Sequence, residues 1–187
     1  MIIGVSGRNG SGKGTLLEAL ARNGFEILSL SDVLRQELAE QGVSETRERM
    51  IALGTRLRRE RGPGALAEVL GPKLNPTHRY GIDSIRHPAE VAVLAATDPG
   101  FRLIWVEAPV ELRFERMQRR GRPGDPETLE ELKRLEELER GGGDEATQQL
   151  DAVCDRSDFR IQNEGRVDEL SEALAPILDA MGVPPRS

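Results

Sequence analysis

Short apolar runs alternate with amphipathic stretches along the 187-residue chain, a pattern that predicts a parallel β-sheet covered by helices. Met1 to Ser6 is the first apolar run, and Leu16, Leu17 and Leu20 share one face of a helix predicted over Lys13 to Arg22. Phe25 to Leu30 reads as a second strand. Ser31 is placed to cap the next helix, with Asp32 in its first turn and Val33, Leu34 and Leu38 on one side. Ser44 opens a further helix carrying Met50, Ile51, Leu53 and Leu57, which Gly62 to Gly64 stops. A short helix from Ala65 to Leu70 and a loop from Gly71 to Thr77 precede a third strand, Arg79 to Ile85.

The second half continues the alternation. Pro88 starts a helix, Phe101 to Glu107 is a fully apolar-cored strand, and Pro109 starts a helix with Leu112, Phe114 and Met117. Residues 121 to 145 change character: GRPGDPE turns into an acidic, leucine-spaced helix from about Glu127 to Arg140, which GGGDE then breaks. Phe159 to Gln162 is a last strand, and Val167 to Met181 a last helix with Leu170, Leu174, Ile177 and Leu178 inward. No internal repeat, low-complexity tract or second domain is visible, so residues 1–187 are expected to form a single domain.

Composition narrows the function classes. The net charge of −6 argues against nucleic acid or an anionic membrane as partner, since both reward a basic surface. Aromatic content of 3% leaves little for base stacking. Cys154 is the only cysteine, so neither a disulfide framework nor a cysteine zinc site is available; it is expected to be a buried small apolar residue. The chain begins directly on its first strand and holds no apolar run near 20 residues, so a cytoplasmic location is expected. Arginine supplies 23 of the 26 basic residues, which gives Lys13, Lys73 and Lys133 more weight than any single arginine.

Lys13 stands in the strongest motif. Gly7, four residues, Gly12 and Lys13 match the phosphate-binding loop, with Gly14 in place of the usual Ser or Thr and Thr15 next. Glycines let successive N–H groups of a strand-to-helix turn point at phosphate oxygens, and the helix N-terminus adds partial positive charge. Gly7, Asn9, Gly10, Ser11, Gly12, Lys13, Gly14 and Thr15 are therefore the expected ATP-binding residues. The fold class that follows is α/β: a P-loop NTPase three-layer α/β/α sandwich on a parallel five-stranded sheet.

The ending GKGT resembles the nucleoside monophosphate kinases. SLSDVLR (Ser29 to Arg35) is similar to the segment that opens their acceptor region, GIDSIRHP (Gly81 to Pro88) to the end of their third strand, and RMQRR (Arg116 to Arg120) to the start of their lid. SDFRIQNEG (Ser157 to Gly165) resembles the last strand of the dephospho-coenzyme A kinases. A closer resemblance, over nearly the whole chain, is to an uncharacterised, largely archaeal family of kinase-like P-loop ATPases with an FERMQRRGRPGDPET lid and an NEG ending. The resemblance implies acceptor-binding helices over about 31–75 and a lid over about 116–145.

Roles follow for single residues. Asp83 at a strand end and Thr15 in the first helical turn suit a magnesium ion bridging the outer phosphates, with a turn carboxylate as the alternative for Asp83. Arg86 would emerge where an acceptor phosphate lies. Asp32 suits an acceptor contact or merely the helix dipole, and Arg35 would meet an acceptor phosphate. Arg47 is a further acceptor candidate, but Arg47, Arg49, Arg56, Arg58 and Arg59 alternate with acids, and a solvated helical face explains most of them. Arg113, Arg116, Arg119, Arg120 and Arg122 put five fixed charges in ten residues before the flap, and Arg116 and Arg120 lie one turn apart to neutralise transferring phosphate. Asn163 and Gly165 lend backbone groups to the adenine or end the strand in a simple turn. His78 and His87 are read as structural.

The function expected is phosphotransfer: ATP, with Mg2+, phosphorylates a small nucleotide-like acceptor, first a nucleoside monophosphate. Dephospho-coenzyme A is the alternative acceptor. A regulatory ATPase acting as a nucleotide-dependent binding switch is the alternative of another class.

Overall fold

The structure, a computed structural model, describes residues 1–122, 124–140, 145–165 and 167–184. The strands β1 (Ile2–Ser6), β2 (Glu26–Ser29), β3 (Tyr80–Asp83), β4 (Arg102–Glu107) and β5 (Phe159–Gln162) form one sheet in the order β2-β3-β1-β4-β5, with every neighbouring pair parallel. Central β1 is buried at all five positions, which is why it reads as a continuous apolar run.

Side-chain alternation along the strands builds two cores. Ile2, Leu103 and Trp105 point to one face, where they join Leu34, Leu57, Leu66 and Leu94. That layer consists of α2 (Leu30–Glu40), α3 (Arg47–Arg61), α4 (Ala65–Leu70), α5 (Pro88–Thr97) and α8 (Leu150–Asp155). Ile3, Val5, Ile104 and Val106 point to the other face, against α1 (Lys13–Arg22) and α9 (Val167–Ala180). In α9 the four positions expected to face inward, Leu170, Leu174, Ile177 and Leu178, are all buried. The three-layer α/β/α sandwich is as expected, and α6 (Val110–Arg120) and α7 (Leu129–Arg140), in the segment expected to form a lid, pack on each other.

Several local expectations are corrected. Ser29, not Ser31, caps α2: its Oγ accepts from the Ser31 N–H at 3.4 Å and the helix starts at Leu30. Thr46, not Ser44, caps α3, its hydroxyl accepting from the Arg49 N–H at 3.3 Å, while the Ser44 carbonyl takes the Arg49 guanidinium. Helix α8 was not expected, and a 3-10 turn at Gly71–Lys73 lies inside the expected loop. Cys154 is half-buried against the first core. Pro123, the GGGD break at residues 141–144 and Arg166 lie outside the described residues.

Ile104, fully buried between β1 and β5, tests the second core. Ile104→Ala is expected to lower unfolding free energy by about 2–5 kcal/mol through lost transfer energy and the cavity left behind. Urea denaturation followed by circular dichroism measures it, and a loss below ~1 kcal/mol would contradict a tightly packed face.

Candidate functional site

Residues 7–12 link the central strand to α1, and their geometry is set by backbone requirements. Gly10 and Gly12 have φ of 79° and 103°, in the region that side chains disfavour. A Cβ on Gly10 would lie 2.6 Å from the Arg113 carbonyl, and one on Gly12 would lie 2.1 Å from Asn163 Nδ2. Glycine there lets α6 and the β5 end close directly on the loop. At Gly14 a Cβ would meet nothing within 4 Å; the residue lines the cleft, so its missing side chain leaves space open beside Lys13.

The loop carbonyls are held from outside. Lys13 Nζ donates to Gly7 O at 2.8 Å and Arg8 O at 3.0 Å. Arg113 Nη1 reaches Asn9 O at 3.3 Å, and Arg116 Nη1 reaches Gly10 O and Ser11 O at 3.4 Å each. Asn163 Nδ2 donates to Ser11 O at 2.6 Å. No side chain caps α1, so its first-turn N–H groups stay available to an anion. Burial, then the charge of Arg86, lowers the Lys13 pKa to about 8, against a raising contribution from Asp83.

Across the cleft, β3 ends in Asp83, whose Oδ1 is buried without a hydrogen-bond partner. Ser84 follows with φ 64°, a left-handed conformation held in a non-glycine residue, and its hydroxyl meets those of Ser29 at 3.0 Å and Ser31 at 3.4 Å. Asp83 and Thr15 line the same cleft, and an unpartnered carboxylate oxygen beside a hydroxyl suits a hydrated magnesium ion. Among the described residues no three His, Cys, Asp or Glu side chains cluster as a metal cage.

Arg86 is fixed by its surroundings. Its backbone N–H donates to Glu90 Oε2 at 2.8 Å, and its guanidinium donates to Gln148 Oε1 at 3.3 Å. Glu90 Oε1 takes Arg58 at 2.8 and 3.1 Å, in an ion pair that is 4% and 0% exposed on its two sides. His87 is structural, as expected: its Nδ1 accepts the Ala89 N–H at 3.1 Å and caps α5. The solvated-face reading of the α3 arginines thus fails for Arg58, and neither Arg58 nor Glu90 was among the expected site residues. Proline at the first helical position and glutamate at the third was the one visible sign of Glu90's capping role.

The lid arginines are engaged by the protein itself. Arg116 Nη2 donates to Asn163 Oδ1 at 3.0 Å, and Arg120 makes a bidentate pair with Asp125 at 2.8 and 2.9 Å. That bond holds the Asp125 carboxyl below its ordinary pKa. Buried Arg113 pairs with Glu136 of α7. Asn163 gives its N–H to Glu107 O at 2.7 Å and accepts from Arg116 at its carbonyl, so its backbone closes the end of β5 while its side chain holds the loop. Asp32 holds Arg35 at 2.6 Å, as a first-turn partner, and Arg35 also reaches Glu45 at 3.1 Å.

One cleft of about 1120 Å3 gathers most of the expected residues: Asn9, Gly10, Gly12, Lys13, Gly14 and Thr15, with Arg35, Arg47, Asp83, Arg86, Arg116 and Arg120 opposite and above them. Gly7, Ser11, Asp32 and Asn163 are outside its lining. Eight basic and five acidic side chains face it, in a chain whose net charge is −6. Met50, Ile51, Leu34 and Leu66 add an apolar part to its lining.

A parallel sheet in this order, with a phosphate loop at the end of its central strand and an arginine-bearing lid, defines a P-loop kinase-like protein. Residues 6–133 match the family described as an AAA domain. The chain belongs to the UPF0200 family. It is 36% identical over 127 residues to UPF0200 protein PH1008 of Pyrococcus horikoshii, covering 65% of this chain and 68% of that one. To a UPF0200 protein of Methanoregula boonei it is 32% identical over 182 residues, covering 96% and 97%. Among solved structures, a shikimate kinase from Acinetobacter baumannii shares the fold with TM-score 0.59 at 14% identity, over 98% of this chain and 95% of that one. A sugar kinase from Janibacter sp. HTCC2649 shares it with TM-score 0.58 at 20% identity, over 99% and 98%. No helix among the described residues is long and apolar enough to cross a membrane.

The lowered Lys13 pKa carries a signed prediction. With a pKa of about 8 the amine is partly neutral above that pH, and bound polyphosphate, favouring the ammonium, raises it. ADP binding at about pH 8.5 should therefore take up a fraction of a proton, and uptake should shrink as pH falls below 8. Calorimetric titrations in buffers of different ionisation enthalpy measure this; equal heats at pH 8.5 would refute it.

Proposed function

We propose that this protein is an ATP-dependent kinase that passes the γ-phosphoryl group, with Mg2+, to a small nucleotide-like acceptor, most fittingly a nucleoside monophosphate. The observation that carries the reading is a single basic cleft lined by both the phosphate loop and apolar residues of α3, within an acidic chain. Such a cleft suits two anionic substrates end to end.

Lys13 leaves the carbonyls of Gly7 and Arg8 to meet the outer phosphates of ATP, and the first-turn amides of α1 hold the oxygens behind them. Thr15 and Asp83 would hold the magnesium ion, which would supply charge neutralisation to the outer phosphates. Arg35, Arg47 and Arg86 take the acceptor phosphate, while Met50 and Ile51 cover its nucleoside. An acceptor phosphate oxygen forms the new P–O bond as the bond from γ-phosphorus to the β–γ bridging oxygen breaks, and ADP leaves with that electron pair. A monophosphate dianion has no proton to lose in this step, so no general base is required. Arg116 and Arg120 add charge when the lid closes and Arg120 leaves Asp125.

Dephospho-coenzyme A is the second acceptor reading, supported by the likeness of Ser157 to Gly165. Its hydroxyl must lose a proton, which would fall to Asp83. A binding switch that hydrolyses ATP slowly and phosphorylates nothing is the reading from another class.

A coupled ADP assay across ribo- and deoxynucleoside monophosphates and dephospho-coenzyme A separates the three. At least one monophosphate should raise ADP formation well above the ATP-only rate; ADP formation indifferent to every acceptor would leave the switch. Lys13→Ala should lower acceptor-dependent turnover by roughly 10²–10³ while the melting temperature stays near wild type. Wild-type turnover in that variant would remove Lys13 from the site.

A further inference from the structure

We infer that Glu90 is a positioning residue of the transfer site, tying the acceptor helix α3 to the backbone that carries Arg86. One buried carboxylate does both jobs with different oxygens. Oε1 accepts from Arg58 Nη2 at 2.8 Å and Nε at 3.1 Å, and Arg58 belongs to α3. Oε2 accepts from the backbone N–H of Arg86 at 2.8 Å and of His87 at 3.1 Å. From the other side, the Gln149 N–H donates to Arg86 O at 2.8 Å, so the chain returning from the lid grips the same residue.

A helix cap alone explains only half of this. Capping α5 needs the bonds to the Arg86 and His87 amides and no arginine 32 positions away. A buried pair is also a poor device for stability alone, because apolar residues of the same volume serve as well or better. What the pair supplies is geometry. It joins α3, which presents Met50, Ile51 and Gly54 to the cleft, to a turn whose neighbour Ser84 sits in a conformation that its surroundings must hold. Acceptor wall and Arg86 then move as one body, which transfer chemistry rewards because small misplacements of a charge-neutralising group are costly in rate.

The kinetic part of the test rests on the kinase reading; the other part does not. Arg58→Lys keeps a cation opposite Glu90, so no buried charge is stranded, but removes the fork that locks Oε1. Glu90→Gln is the second variant: it keeps an oxygen for the Arg86 and His87 amides and turns an NH2 group toward Arg58. In the ligand-free protein, amide exchange by NMR at Arg86 and His87 should be about tenfold faster in Arg58→Lys, with loop amides of residues 10–15 unchanged. Unchanged exchange at Arg86 and His87 overturns the inference whatever reaction the protein performs.

With a monophosphate that wild type phosphorylates, both variants should lose about 10–100-fold in kcat while their Kd for ADP stays within about twofold. A lowered melting temperature with kcat intact would make the pair structural and overturn the inference. If wild type phosphorylates none, the kinase reading falls and the exchange result alone decides the role of Glu90.

Discussion

Everything at this site depends on keeping a bare loop open. A turn that offers its N–H groups to a ligand leaves its carbonyls facing the protein, and a buried carbonyl without a donor is costly. Here the carbonyls of five consecutive residues, Gly7 to Ser11, each take a side-chain donor: Lys13, Arg113, Arg116 or Asn163. Three of those donors come from segments far away in the chain. The lid helix α6 and the β5 end are therefore part of the loop's construction as well as of any later closure over a ligand. Arg113 extends the brace to Glu136 of α7, and Arg116 extends it to Asn163. Both guanidiniums are thus shared between the loop and a segment distant in the chain.

The arginines that line the cleft are held by similar means. An exposed arginine has no fixed position of its own, and several of these are tied to a neighbour. Arg35 is divided between Asp32 and Glu45, Arg120 is paired with Asp125, and Arg86 is gripped through its backbone and by Gln148. Acidic partners lower the cost of gathering so many cations in one cleft and hold their side chains near working positions. The overall negative charge of the chain thus coexists with a basic cleft because the acids inside the cleft are fewer than the bases, and two of the five, Glu45 and Asp125, are paired with Arg35 and Arg120.

What was legible in the sequence divides along physical lines. Strands β1 and β4 and helix α9 were readable because burial on one or two faces imposes a period on the residues themselves. The phosphate loop was readable because its demands, glycine at φ 79° and 103° and a lysine next, are local. Caps were readable only to within two residues, since Ser29 and Ser31, or Ser44 and Thr46, are chemically equal candidates and packing chooses. Helix α8 was too short to show a period. The contacts of Arg58 and of the Asn163 side chain are not legible, because their partners lie 32 and 152 positions away, and no pattern within α3 or β5 encodes a distant glutamate or a loop carbonyl.

The retention of lysine at position 13, in a chain that uses arginine almost everywhere else, follows from the geometry of the brace. Lys13 is bonded to the carbonyls of Gly7 and Arg8, and the proposed function asks the same cation to reach the phosphates of ATP. A flexible four-carbon stem with a compact, rotatable head can serve both; a planar fork prefers one partner and holds it. Arginine therefore suits Arg113, held between Asn9 O and Glu136, and lysine suits a residue that in the proposed function must let go. The burial that lowers its pKa to about 8 has the same consequence. A charge that is costly to hold in the empty site gains most when a polyphosphate arrives, so the environment that weakens Lys13 alone strengthens its preference for an anionic partner.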